Sequence, residues 1–270
     1  MRTSPRRRDR TDWMEAGPGA TISIVDADPD LADLLEENQL ERARHEARAR
    51  VLALWPGPWD AGASVEPERH HRGFLLFDGL ITRDVEVLGR QCVELLGHGD
   101  VMRPWHWDDE GSHVHAEIGW TVLEPARLAV LDQQLVTQIA PWPQLGVELF
   151  NRGTRRAHAL AVSLAIAHHP RVDDRLMLTL WHLAERWGRV SQDGVVVPLP
   201  LPHQRLADLV GAHRPSVTTA LGELVRAGSV SRRESGHWVL HGSPPRELRH
   251  HRLAAMAMGD AVRLRADGEP

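Results

Sequence analysis

The sequence predicts an α+β chain: an N-terminal, jelly-roll-like β roll, a long helix, and a C-terminal winged helix-turn-helix. Three observations predict it. Short apolar runs alternate with turn signals from about residue 65 to residue 131. Helical periodicity then returns near Pro143 and runs to Pro170. Finally, Ala207, Gly211 and Val217 stand four and six residues apart inside an apolar pattern that reads helix, tight turn, helix.

Each element has its own signal. Residues 1–20 are polar, with Gly17-Pro18-Gly19, and are expected to be disordered. Asp28-Pro29-Asp30 opens a helical stretch through Leu31, Leu34 and Leu35, expected to run to about Leu54, where Trp55-Pro56-Gly57 stops it. The roll begins with strands at Gly73–Phe77, Val85–Leu88 and Val93–Leu96. Asp78-Gly79 reads as a tight hairpin turn, and a strand pair follows at Ile118–Leu123 and Arg127–Leu131. The expected domains are 21–140 for the N-terminal helix and roll, 141–170 for the long helix, and 171–245 for the winged unit, with a tail at 246–270. In the long helix Leu145, Leu149, Leu160, Leu164 and Ala167 mark an apolar side; such a helix can pair with its copy in a homodimer. A second helix carries Leu176, Leu180, Leu183 and Trp187 on one face. Val195–Leu201 reads as a strand at a sheet edge, because Pro198, Pro200 and Pro202 cannot donate to a ladder.

Composition narrows the function classes. The chain has 270 residues, a formal charge of −5 and one cysteine, Cys92. One cysteine excludes an intramolecular disulfide and a four-cysteine iron–sulfur or zinc site within one chain; Cys92 is expected to be a small buried hydrophobe. No apolar run reaches the length of a membrane helix and no secretion signal follows the basic start, so the expectation is a cytoplasmic protein. There is no lysine, so every strong side-chain cation is an arginine, a planar fork suited to phosphate and guanine.

The chemistry-bearing pattern lies in 201–240. Ala207 is small where two helices approach, Gly211 suits a left-handed exit from the first helix, and Val217 is the wedge of the second. Leu206, Leu209, Val210, Leu221, Leu224 and Val225 are expected to share a core. Pro215 is placed at the first position of a recognition helix running from about Arg214 to Ala227, with Arg214 extended as a cap. That sets His213, Arg214, Ser216, Thr218 and Thr219 at the end that enters the major groove of double-stranded DNA. Arginine there reads guanine O6 and N7. Val230–Leu240, turning at Ser235-Gly236, is a wing whose Arg232 and Arg233 suit phosphates.

These residues resemble the Crp/Fnr family of bacterial transcription regulators. The likeness covers about 65–242 and is strongest over 201–242, where Gln204, Leu206, Ala207, Gly211, Arg214, Val217 and Leu221 fall on the family pattern. Gly73, Asp78-Gly79 and Gly97-His98-Gly99-Asp100 look like turns of the family's cyclic-nucleotide-binding-type roll. The resemblance implies a homodimer on a pseudo-palindromic site, an effector domain in the roll, and Gln204 among the DNA contacts. The chain departs from the family twice. After the Gly-Asp turn it has Val101-Met-Arg-Pro-Trp105, without the Gly-Glu and the later Arg-Ser or Arg-Thr that hold a cyclic nucleotide. On the recognition helix Pro215 and Thr219 stand where many members carry glutamate and arginine. A degenerate effector domain follows, with an unidentified small-molecule effector and no cofactor.

Two other readings compete. A constitutive architectural DNA binder predicts affinity that no small molecule changes. A cupin-like metal protein draws on His98, His106, His113 and His115, but Glu117 follows His115 too soon for the cupin spacing. No nucleophile–base pair or phosphate-cradling glycine loop occurs, so an enzyme is not expected.

Overall fold

The computed structural model describes residues 20–61, 73–104 and 116–244. The expectations for 1–19, for the tail at 246–270, and for His106, His113 and His115 lie outside the described residues. The chain divides into two compact units, Met1–Leu160 and Ala161–Pro270.

The first unit opens with β1 (Thr21–Ser23) and three short helices, α1 (Ile24–Ala27), α2 (Pro29–Ala32) and α3 (Glu37–Glu46). Ser23 and Asp28 cap α1 and α2, each accepting a backbone N–H in the first turn. The expected continuous helix to Leu54 is not formed. Residues Arg48–Leu54 are instead a strand, β2, that pairs with Thr21–Ser23 on one side and with residues 126–129 on the other. The run Arg-Ala-Arg-Val holds good helix formers, but it also alternates polar and apolar. Ala49 and Leu54 are buried in the sheet, and that pairing overrides local propensity.

The roll is an antiparallel sheet of seven strands. Two long ones form its spine: β4 (Gly73–Val87) and β7 (Glu117–Leu131), with β5 (Arg90–Leu96) beside β4. The short β3 (Gly57–Pro58) joins β7 and β6 (Val101–Met102) joins β4. Asp78-Gly79 is not a hairpin turn. The chain stays in β4 there, and the register against β7 shifts between Leu76 and Ile81. Gly79 has φ +95°, and a Cβ on it would stand 2.4 Å from the Pro125 carbonyl oxygen. The irregularity is therefore a close crossing of two backbones. The two strands expected at 118–131 are one strand kinked at the same place. The hairpin between β4 and β5 turns at Leu88-Gly89 instead, both at positive φ. Cys92 lies exposed on β5, not buried as expected, because β5 is the last strand of the sheet and one of its faces is open.

Two apolar clusters fill this unit. Trp59, Phe74, Met102, Trp120 and Leu128 pack in one, with Trp59 and Trp120 edge to face at 5.8 Å. Ile24, Leu31, Leu75, Trp142 and Leu145 pack in the other, which joins the N-terminal helices to α4 (Gln133–Ile139) and to the start of α5 (Pro143–Ala167). Helix α5 passes Gly153 without interruption. Arg152 on α5 is buried and donates to both carboxylate oxygens of Asp28, also buried, and to Glu148. Burial works against the charge of Arg152, and these carboxylates outweigh it, so its pKa rises. One turn later Arg156 grips Glu94 of β5 with two bonds, at 2.5 and 2.7 Å, and the Val101 carbonyl at 3.2 Å.

In the second unit α6 (Val172–Trp187) packs on α7 (His203–Val210), α8 (Arg214–Arg226) and a four-stranded sheet ordered β10-β11-β9-β8. Its strands are β8 (Arg189–Ser191), β9 (Gly194–Val197), β10 (Val230–Arg232) and β11 (Trp238–Leu240). β9 is not at the edge. It pairs with β8 and β11 at once, because the paired residues end at Val197 and all three prolines fall beyond them.

Candidate nucleic-acid interface

The geometry of the motif follows from four local devices. Pro202 precedes α7 and supplies an extended residue at its start. Gly211 ends α7 at φ +61°, ψ +45°, the left-handed conformation that closes the turn. Arg175 of α6 donates from Nη1 to the Val210 and Gly211 carbonyls at 2.9 and 3.1 Å, covering the last acceptors of α7. His213 is the extended cap of α8. Arg214 is therefore already helical and Pro215 stands one place deeper than expected. The shift follows from the cap: with φ −75° and ψ 141°, His213 takes the non-helical role assigned to Arg214.

Leu206, Ala207 and Val210 on α7 and Val217, Ala220 and Leu221 on α8 are buried. Leu209 and Leu224 are half-buried. Val225 is exposed and takes no part in the shared core: it lies one turn past Leu221 at the margin of the buried stripe, next to the helix end at Arg226. With the apolar stripe turned inward, His213, Arg214, Pro215, Ser216, Thr218 and Thr219 all lie at the surface. Thr218 and Thr219 hydroxyls donate to the Arg214 and Pro215 carbonyls at 3.0 and 3.2 Å, which leaves their oxygens free to accept. Gln204 is exposed on the first turn of α7 and donates to Asp208 of the same helix at 2.8 Å.

The wing folds as a two-stranded hairpin with Val230 opposite Leu240 and Arg232 opposite Trp238. Gly236, at φ +82°, takes the turn. Arg232 lies over the Trp238 ring at 5.3 Å, with Nε donating to the Gly236 carbonyl at 3.3 Å. Arg233 points elsewhere, to Asp193 at 3.0 Å. The structure thus brings Arg214, Thr218 and Arg232 toward one region, and holds Arg233 against the β8–β9 turn. Sequence reasoning passed over His203, which bridges α7 and α8 through Thr218 Oγ1 at 3.1 Å. Its one signal was its place at the first turn of the motif, two residues past Leu201.

Among the described residues no group of three His, Cys, Asp or Glu side chains is placed to hold a metal. Of the histidines gathered at 98–115 only His98 is described; its Nδ1 lies 2.8 Å from the Phe77 carbonyl and its Nε2 3.8 Å from Asp28. No helix among those residues is long and apolar enough to cross a membrane.

Residues 174–242 match the family model described as a Crp-like helix-turn-helix domain. Among curated proteins, the anaerobic regulatory protein of Bacillus subtilis (strain 168) is 38% identical over 66 residues, 24% of this chain and 28% of that protein. The chain matches less than half the length of the curated relatives it resembles. Among solved structures, a cyclic nucleotide-binding domain containing protein from Listeria monocytogenes EGD-e superposes with a TM-score of 0.56 at 17% identity, over 78% of this chain and 95% of that one. The c-di-GMP responsive global regulator CLP of Xanthomonas campestris superposes at 0.53 with 20% identity, over 77% of this chain and all of that one. Residues 174–242 thus carry a Crp-like helix-turn-helix domain, and the antiparallel roll and long helix that precede it have the fold of these solved structures.

Proposed function

We propose that this chain is a sequence-specific, DNA-binding transcription regulator that works as a homodimer, with domains at 21–140, 141–170 and 171–245. The observation that carries the reading is the exposed first turn of α8. There Arg214 stands at the surface, with the Thr218 and Thr219 hydroxyls one turn on, while Val217 and Leu221 anchor the helix from below. In this reading Arg214 reads a guanine edge, with His213, Ser216, Thr218 and Thr219 around it. Gln204, Arg232 and Arg233 meet phosphates, Arg233 exchanging Asp193 for the DNA backbone.

The occupant of the long helix's open face is a second copy. Val147, Phe150, Thr154, Ala157, Ala161, Leu164 and His168 are exposed. They recur at alternating steps of three and four, the period of a two-helix seam. Two recognition helices related by that pairing would meet half-sites about 34 Å apart on one face of DNA. In the roll, Trp59, Phe74, Met102 and Trp120 pack together as apolar core. This supports an effector domain that no longer takes a cyclic nucleotide; the effector, of unassigned class, acts by favouring one arrangement over another.

The test maps binding across the genome for the wild type and for Arg214→Ala, then measures affinity for a recovered site and for random duplex. The variant should lose about 1–3 kcal/mol on the site, and far less on random DNA. Equal losses on both would reject the assignment.

A further inference from the structure

His203 sits where the first helix of the motif, the recognition helix and the wing converge, and none of the roles above uses it. Its Nδ1 is 3.1 Å from Thr218 Oγ1 of α8. Its ring packs on Trp238 of β11 with centroids 6.2 Å apart. The Thr218 hydroxyl has one proton, and directs it to the Arg214 carbonyl at 3.0 Å. The hydroxyl oxygen must then accept from His203, so the neutral ring carries its hydrogen on Nδ1. The open lone pair is on Nε2, which no hydrogen bond among the described residues reaches. A second proton would go there and find no acceptor in the protein.

The charged groups that face this ring are of one sign. Arg232 comes from β10 and Arg214 from α8. On its own helix, Asp208 is engaged by Gln204 at 2.8 Å and Arg205 at 3.7 Å. Burial first, then Arg232 and Arg214, hold the imidazole pKa below its ordinary value. In the free protein the ring is therefore neutral at neutral pH, within the field of two guanidiniums.

Resting on the DNA-binding reading above, we infer that His203 is a proton-linked DNA contact: a backbone phosphate placed against Thr218 and Arg232 supplies the missing anion, Nε2 takes a proton from solvent, and the charged ring donates to a phosphate oxygen. The sign follows from linkage. The phosphate raises the affinity of the ring for its proton in the complex relative to the free protein. The gain in DNA affinity is complete below the free-state pKa, and vanishes as pH rises through the complex-state pKa. Arginine at this position would hold a phosphate at any pH; histidine makes the contact conditional.

The experiment is fluorescence anisotropy on a labelled random-sequence duplex at fixed ionic strength, across about pH 5.5 to 8, where an imidazole titrates. Wild-type affinity should fall with rising pH, approaching about tenfold per unit for each protomer engaged. His203→Gln should lose that component of the slope, and His203→Arg should bind tightly with a flat profile. The His203 ring protons, followed by NMR, should titrate at higher pH when duplex is present. Equal slopes in wild type and His203→Gln, with the ring titration unmoved by duplex, would sink the proton link and leave DNA binding standing. No binding to any duplex would remove both.

Discussion

In the C-terminal unit the residues that meet are closer in sequence. His203 touches Thr218 fifteen residues on, Arg232 reaches Gly236 four residues on, and Arg233 reaches back 40 residues to Asp193. In the N-terminal unit the decisive contacts span most of the unit. Arg152 holds Asp28 from 124 residues away, Arg156 holds Glu94 from 62, and Arg48 bonds Gln138 from 90. The difference is one of topology: a helix-turn-helix is specified by caps, a turn and a few apolar residues within one stretch of chain, whereas a roll exists only once distant strands have found their register. The N-terminal unit should therefore be the part that single buried contacts can unmake.

The largest test of that contrast is Asp28→Ala. It leaves Arg152 buried beside an empty position, and should cost the N-terminal unit about 3–5 kcal/mol. Urea titration would read it, with affinity for random duplex as the control; a cost near zero would mean the pair is not what joins α5 to the roll. Next comes a pair of glycines, one in each unit. Gly79→Ala forces a Cβ to within 2.4 Å of the Pro125 carbonyl and keeps φ at +95°, and should cost about 3 kcal/mol. Gly211→Ala meets nothing within 4 Å and should cost only the left-handed backbone, about 1 kcal/mol. Equal costs at the two positions would show that the crossing of β4 over β7 can relax. The smallest effect on stability is expected from Phe150→Asp: its side chain is 75% exposed, so the fold should hold while the dimer dissociates, read by sedimentation.

The legibility of the two units differs in the same way. Gly211, Val217 and the Ser235-Gly236 turn were readable because each acts on its immediate neighbours. Errors there amounted to one residue at Pro215, to the exposed Val225, and to β9, which was read as an edge strand and is central. In the roll, Arg48–Leu54 read as helix because its local propensities favour helix, and Asp78-Gly79 read as a hairpin because its chemistry suits one. Both readings failed for the same reason. A distant partner strand, β7, sets the conformation of both segments: residues 126–129 pair with Val51–Leu54, and Arg127 pairs with Asp78.

The sequence by itself determined the order of roll, long helix and helix-turn-helix with its wing, and which side chains in the first turn of α8 face outward, because 3.6-residue periodicity and cap chemistry are local. Only the tertiary structure decided that β4 and β7 are continuous strands crossing at Gly79, that β9 is central, and that Arg152 and Arg156 tie α5 to the first unit. It also decided that His203 lies among two arginines and a threonine. Those facts depend on burial and on pairing between distant segments, where desolvation makes a partner obligatory and no pattern along the chain records which partner it is.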